Sequence, residues 1–559
     1  MVEKRPQSSR STGMPPRSRE LSGRTALKTG SAAATQRCRH TVDQEKQVID
    51  MSTRSGVRDF RNKAALGCGL LMTMFGLVEH AWSQSSQAPS AVSIQWNDTV
   101  SVSRSTPTLQ VVVNPMLRPG SPIFASSYAA VKNLGADYVR YVPWLPYPRL
   151  AVAELKPPTP SGTSWDFSII DPMTKAFLQA TAGHSTIMNF STIPAWLFKT
   201  PKPVTYPSDP NAVDWHYTQG TQLVDPSGKH LGAYYARLVS WYTQGSFTDE
   251  NGKVHTSGYH YKFPYWEVLN EVEAEHQTTP EQYTERYDAI VQAIHKVSPQ
   301  TKFVALALAN PSEGPAYFEY FLNHAHHRAG VPLDYISYHF YASPTPHQTL
   351  NDWQYTFFDQ ADRFLSTVGY IEQIRKRLSP ETKTDTDELG VILPTDNTPN
   401  DAKIAIPALY WNAAGALYAY LYIGLAKQRI DVIGESQLVG YPSQFPSVSM
   451  MDWKDGKPNA RYWVLKLIKD NFHSGDRMIK SDSGSTAFTA QAFITSTGKK
   501  VLLVNKRDRV VEARLPGGTS AVSLATVDET SGEGAARVTH PSGDTIHLAP
   551  FAVVVASVR

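Results

Sequence analysis

Residues 303–309 read FVALALA, seven consecutive apolar residues with no alternation. A strand with one face in water alternates apolar and polar side chains. An unbroken apolar run of this length fits a strand buried on both faces, as in a parallel sheet covered by helices. Working outward from it, similar short β-rich runs recur at 109–113, 138–143, 185–190, 265–270, 302–309, 335–341, 384–389 and 430–434. Between and after them lie stretches with helical patterning at 121–134, 167–180, 234–242, 280–297, 315–326, 352–377, 402–420 and 461–469. Eight β/α pairs over about 360 residues predict an α/β fold, a (β/α)8 TIM barrel.

After residue 478 the pattern changes. Short alternating strands at 487–494, 501–504, 510–515, 521–527, 545–548 and 552–558, separated by Gly-, Ser- and Pro-containing turns, predict a C-terminal antiparallel β-sandwich. The domain reading is therefore 1–83 as a basic segment plus signal, 84–106 as N-terminal strands that join the sandwich, 107–477 as the barrel and 478–559 as the sandwich. No internal repeat is visible.

The chain has 559 residues, 41% hydrophobic and 19% charged, with a formal net charge of +4. Residues 1–83 hold 14 Lys and Arg against 7 Asp and Glu, whereas the remaining 476 hold 40 against 43. The basic excess therefore sits in one end, and a nucleic-acid-binding reading of the whole chain fails. Residues 1–60 are rich in Ser, Arg, Thr and Gly and are expected to be disordered. Arg61 and Lys63 then precede a short apolar run at 64–78 and the small-residue site Ala81-Trp82-Ser83. This is the layout of a secretory signal, running from about Met51 to Ser83, and predicts a secreted or periplasmic protein. A single N-terminal membrane anchor is the alternative. The apolar run is too short for a polytopic membrane protein. Both cysteines, Cys38 and Cys68, precede the cleavage site. The mature chain is thus expected to carry no disulfide, no thiol nucleophile and no Cys-ligated metal.

Catalytic groups of such barrels sit at the C-terminal ends of strands. The fourth strand candidate, residues 265–271, reads YWEVLNE, and the seventh, 384–390, reads TDTDELG; each ends in a glutamate. Glu271 and Glu388 stand 117 residues apart, and strands four and seven lie nearly opposite across a barrel mouth. Two carboxylates facing one bond are what glycosidic hydrolysis needs. Strand alternation would put Thr384, Thr386 and Glu388 on one face and Asp385 and Asp387 on the other. Asn270 and Glu271 would point oppositely, so both reach one site only if the strand ends or bulges there.

The WEVLNE motif (266–271) resembles the fourth-strand motif of clan A glycoside hydrolases, and DELG (387–390) that clan's seventh-strand nucleophile motif. The barrel with a C-terminal sandwich is most similar to glycoside hydrolase family 39, with families 51 and 79 as alternatives. The resemblance implies Glu271 as general acid/base and Glu388 as nucleophile of a glycosidase. It implies that Asn270 bonds the sugar 2-hydroxyl, and that His339 and Tyr341 of SYHFY (337–341) form the sixth-strand His-x-Tyr pattern, the Tyr against the nucleophile. Arg140 would keep the nucleophile ionised. Val272 stands where the family has Pro. A carbohydrate-binding barrel that has lost catalysis and a transglycosidase are the rival readings. Neither a cofactor nor a metal is implied, and the expected partner is an oligosaccharide, polysaccharide or glycoside.

Other residues are read more plainly. Trp144, Trp196 and Trp453 could each stack on a sugar ring. Glu267 is expected as a buried, hydrogen-bonded barrel residue, and Glu273 and Glu275 as solvated. Glu435 is a further candidate for the mouth. His324, His326 and His327 are expected at a solvated helix end rather than on a metal.

Overall fold

Eight parallel strands close on themselves in chain order: Thr106–Val112, Val139–Val142, Thr186–Met188, Tyr265–Glu267, Lys302–Leu308, Tyr335–Ala342, Lys383–Val391 and Val432–Glu435. The computed structural model describes residues 89–394, 396, 406–441, 445–518 and 522–558. The expectations for residues 1–83, including the signal, Cys38 and Cys68, lie outside them. Closure is made by the eighth strand pairing with the first, Val432 opposite Thr106 and Glu435 opposite Leu109.

The helices that follow the strands are Phe124–Leu134, Asp171–Ala180, Lys229–Thr243, Pro280–Val297, Pro315–Phe321, Leu350–Leu378, Ala408–Lys427 and Ala460–Asn471. Local sequence explains their ends. Thr279 and Gln282 form a reciprocal capping box at the start of the fourth helix, with Pro280 at its first position. The fifth ends early, at Phe321, and the chain resumes as a short 3-10 turn over His324–His326. His327 is not solvated: its Nδ1 lies 2.7 Å from Asp288 Oδ1 and its side chain is buried.

One end of the barrel is plugged by aromatic rings. Tyr138, Tyr265 and Tyr335 stand at the starts of strands two, four and six, with ring centroids 5.2 to 6.4 Å apart. Side chains from alternate strands stack in such layers. The opposite end, where the strands finish, is left for chemistry.

Seven strands form an antiparallel sheet in the order 537–539, 522–527, 553–558, 498–505, 488–495, 477–482 and 93–102. A second, three-stranded sheet of Ser90–Ala91, Val511–Arg514 and Ile546–Leu548 faces it across a core that includes Phe488, Leu503, Leu524 and Val554. The N-terminal strand Ser93–Val102 pairs with Arg477–Asp482 just before the chain enters the barrel. The outer face of the larger sheet packs on the last barrel helices, with Phe472 and Phe493 rings 4.4 Å apart. Among the described residues no helix is long and apolar enough to cross a membrane.

Candidate active site

The seventh strand departs from simple alternation. Thr384 points outward to Glu372 on the surrounding helix (2.6 Å), and Thr386 Oγ1 donates to the Val432 carbonyl. Asp387 lies with Arg140 inside the barrel. A register irregularity between Thr386 and Leu389 inserts an extra residue and turns Glu388 inward as well. The expected grouping of Thr384, Thr386 and Glu388 on one face is thus corrected: Asp387 and Glu388 both serve the interior. Gly434 on the neighbouring strand makes room, since a Cβ there would meet the Asp387 backbone.

The fourth strand ends at Glu267, before the two residues of interest. Leu269 (φ 69°) and Glu271 (φ 43°) take left-handed conformations, and the Glu271 N–H donates to the Ala307 carbonyl at 2.8 Å. This turn lets Asn270 and Glu271 both reach the mouth. Val272 is buried, and its carbonyl accepts from Thr278 Oγ1 at 2.7 Å.

Arg140, 1% exposed, is the hub. Its Nη1 donates to Glu388 Oε1 and Gln110 Oε1, its Nη2 to Asn270 Oδ1, each at 2.6 Å, and its Nε to Glu267 Oε2 at 2.5 Å. Asp387 Oδ2 lies 3.0 Å from the same Nε. Burial works against charge on both Asp387 and Glu267, yet Arg140 and His339 hold the Asp387 carboxyl well below its usual range. Burial and the neighbouring Asp387 push Glu267 up to about 8, despite Arg140. Asp387 therefore carries the charge of that pair, and Glu267 is the buried, hydrogen-bonded residue also held by Asn189 and Ser337 at 2.6 Å each.

Tyr341 Oη donates to Glu388 Oε2 at 2.6 Å and lies 2.6 Å from Ser436 Oγ. Burial and the adjacent carboxylate push its phenol well up, so it stays protonated and donates. His339 Nδ1 is 3.1 Å from Glu271 Oε1 and 3.6 Å from Glu388 Oε2, and its Nε2 is 3.3 Å from Asp387 Oδ1. Burial opposes charge on this ring, but Glu388, Asp387 and Glu271 around it raise its pKa well above the usual value. The side chain of Glu271 is 23% exposed and that of Glu388 9%. One carboxylate sits at the rim and the other a step deeper.

These groups open into a cavity of about 340 Å³ walled by Trp144, Phe445, Asn270, Tyr341 and both glutamates. Trp144 packs against Trp215 and Phe445. Its indole N–H is committed to Glu275, which leaves the ring face for a ligand. Trp196 and Trp453 are elsewhere: the first is anchored on the Glu154 carbonyl, and the second lines a separate cavity beside Trp411 and Glu533.

Three expectations fail here. Glu273 is not solvated: its Oε1 accepts from the Asn310 N–H at 2.8 Å and its Oε2 is shielded from solvent. Glu275 is not solvated but stands on the cavity wall, bonded by Trp144 and by Asn270 Nδ2 at 3.0 Å, because the turn after Glu271 folds it back. Glu435 does not reach the mouth. It is fully buried against Arg461 of the last helix at 3.0 Å. Gln110 and Ser436, bonded to each other at 2.6 Å, complete the support, and nothing in their local sequence marked them.

The arrangement offers two carboxyl groups facing one cavity, an arginine bonded to one of them, and an aromatic wall. One oxygen each of Glu271 and Glu388 and one nitrogen of His339 lie within 4.8 Å of one another. These three are also the described residues whose spacing would suit an ion.

The whole is a TIM barrel with a C-terminal antiparallel sheet domain, a fold found in glycoside hydrolases of solved structure. The GH51 arabinofuranosidase from Xanthomonas axonopodis pv. citri superposes with a TM-score of 0.57 at 13% identity, over 84% of this chain and 100% of that one. A glucosidase from Croceicoccus marinus gives 0.54 at 14%, over 85% and 100%. The GH51 alpha-L-arabinofuranosidase from Thermotoga petrophila RKU-1 gives 0.54 at 13%, over 84% and 100%. At such identities the likeness is one of fold. Residues 487–556 match the family model of the D-apionate lactonase C-terminal immunoglobulin-like domain, which in this chain carries none of the mouth residues. No curated protein sequence matches the chain.

Proposed function

We propose that the protein is a retaining glycoside hydrolase acting on O-glycosidic bonds, with Glu388 as nucleophile and Glu271 as acid/base. The observation that carries this reading is the approach of the two carboxylates to within 4.8 Å across the mouth of one barrel. Retaining enzymes hold the pair about 5–5.5 Å apart, and inverting ones about 6.5–9.5 Å to admit a water.

The chemistry follows from the geometry. Glu388, neutralised by Arg140 and steadied by Tyr341, attacks the anomeric carbon while Glu271 gives its proton to the leaving oxygen. Once the covalent glycosyl-enzyme has formed, Glu271 is unprotonated and takes a proton from water. That water then displaces Glu388, restoring both groups. The structural neighbours are described as an arabinofuranosidase, a glucosidase and similar enzymes, which supports a carbohydrate substrate. Assignment to family 39 in particular rests on the two short motifs. Export rests on residues 51–83.

The test is a panel of aryl glycosides (xyloside, arabinoside, glucoside, galactoside, glucuronide) with NMR of the first product anomer. The expected result is turnover of at least one with retained configuration, and a loss of about 10³-fold or more in Glu388→Gln. An inverted first product, or full activity in Glu388→Gln, would remove this mechanism. Oligosaccharide binding with no release of reducing ends would favour the lapsed barrel.

A further inference from the structure

A second cavity, of about 700 Å³, is larger than the mouth at about 340 Å³. Sites for small ligands span roughly 300–1,000 Å³. It is walled by residues 406–412, where the seventh helix starts, by residues 451–460, which lead from strand eight into the last helix, and by residues 529–533 of the C-terminal domain. The first two follow barrel strands, so the cavity opens at the same end of the barrel as the glutamates. Val448 walls the mouth and Met451 this cavity, so one short stretch of chain divides the two.

The wall combines ring faces with free donors. Trp411 and Trp453 are half-buried. Among the described residues Trp411 meets one other ring, Tyr410 at 71°, and Trp453 meets none. Neither indole N–H is bonded by these residues or shielded from solvent. Asn412 is only 5% exposed, yet its Nδ2 is likewise unbonded among them and open to the cavity. Lys457 Nζ, 3.1 Å from Glu533 Oε2, ties the barrel wall to the C-terminal one. Flat apolar faces beside unbonded donors match a sugar, which has an apolar CH face and hydroxyls at its edge. The rim carries both signs of charge, Lys454 and Lys457 with Asp452, Glu529 and Glu533, and so focuses no field on an ionic ligand.

Resting on the glycosidase reading above for the kind of ligand, we propose that this cavity is a second saccharide-binding site, which holds a stretch of a polymeric substrate beside the mouth and takes no part in bond cleavage. Trp411 and Trp453 pack against ring CH faces. Asn412 Nδ2 donates to one hydroxyl, and Glu529, exposed at the rim, accepts from another. A chain held here keeps its other sugars at high local concentration near Glu388.

The experiment is gel retardation of the full chain and its Trp411→Ala, Trp453→Ala and Glu529→Ala variants by soluble arabinan, xylan and β-glucan. It is paired with kcat/KM on an aryl glycoside and on the retarding polymer. Retardation by at least one polymer is expected, with affinity about tenfold lower in each Trp variant and more modestly lower in Glu529→Ala. Polymer kcat/KM falls with it, while aryl glycoside kcat/KM is unchanged. Glu529 is exposed, so its variant reads the site even if a Trp variant does not fold. No retardation by any polymer, equal retardation of the unmodified protein and every soluble variant, or equal losses on aryl glycoside and polymer would overturn this inference and leave the glycosidase reading intact. Retardation that the variants weaken, in a protein that turns over no glycoside, would overturn the glycosidase reading alone.

Discussion

Gly434 stands so close to Asp387 that a Cβ at position 434 would lie 2.8 Å from the Asp387 carbonyl oxygen and 3.0 Å from its Cα. These are backbone atoms and cannot swing aside. The contact falls at the irregularity that turns Glu388 inward, so the fit of one strand against its neighbour sets where the carboxylate sits. Gly434→Ala should therefore shift strand seven, destabilise the fold by about 1–3 kcal/mol, and lower kcat more than it alters KM. Gly369, in the helix Leu350–Leu378, serves as control. A Cβ there meets only Gln428 Oε1 at 3.5 Å, and Gly369→Ala should leave kcat unchanged. Equal kcat in the two variants would show that strand position does not govern Glu388.

Arg140 holds three carboxyl groups and two amides in the barrel interior. Lysine keeps the charge but offers a single nitrogen in place of a planar fork. Arg140→Lys should cost about 10²-fold or more in kcat, because Glu388 and Asn270 lose a shared partner. Arg140→Met should cost about 3–5 kcal/mol of stability in chemical denaturation, because the anions around it are left buried and uncompensated. An Arg140→Lys enzyme with normal kcat would mean that Glu388 is positioned from elsewhere.

The barrel was legible because its signal is repeated. Runs such as 303–309 need only be apolar and short, and eight of them with helices between leave little choice of architecture. Glu271 and Glu388 were legible because each stands near the C-terminal end of a strand candidate, although strand four itself stops at Glu267 and strand seven runs on to Val391. What escaped was set by irregular backbone. The left-handed conformations at Leu269 and Glu271 fold Glu275 back onto the cavity wall, and no periodicity announces them. The extra residue in strand seven reverses the inside and outside expected from alternation. Glu435 was misplaced because its partner, Arg461, comes from a helix 26 residues on. Long-range pairing of that kind decides burial, and sequence spacing does not display it.

Glu271 sits at the rim, and on the proposed mechanism it donates its proton to the leaving group, so its removal should matter only as much as that proton does. With a dinitrophenyl leaving group, Glu271→Gln should retain glycosylation within about tenfold. With an alkyl or sugar leaving group it should lose about 10²- to 10⁴-fold. Azide should then accelerate deglycosylation of the activated substrate, because it needs no general base, and should yield the glycosyl azide of retained configuration. Uniform losses across leaving groups would reassign Glu271 from acid to a binding or structural role.

Glu154 lies fully buried away from the mouth; among the described residues its Oε2 has no partner and its Oε1 accepts only a long bond from the Ser164 N–H at 3.5 Å. Burial first, and then the charge of Glu250, push its carboxyl from 4.5 up to about 8. The folded chain therefore holds a proton there between those values, while the unfolded chain has released it. Where the native state binds more protons than the unfolded one, stability falls as pH rises. The contribution of Glu154 is intact below about pH 4.5 and is lost through about pH 8. Glu154→Gln, neutral and of the same shape, cannot lose it. The melting temperature of the variant relative to the unmodified protein should accordingly climb from pH 5 to pH 8, with little difference at the acid end. Thermal scans in matched buffers read this directly, and a gap that stays constant or narrows over that range would mean Glu154 is ionised in its buried setting.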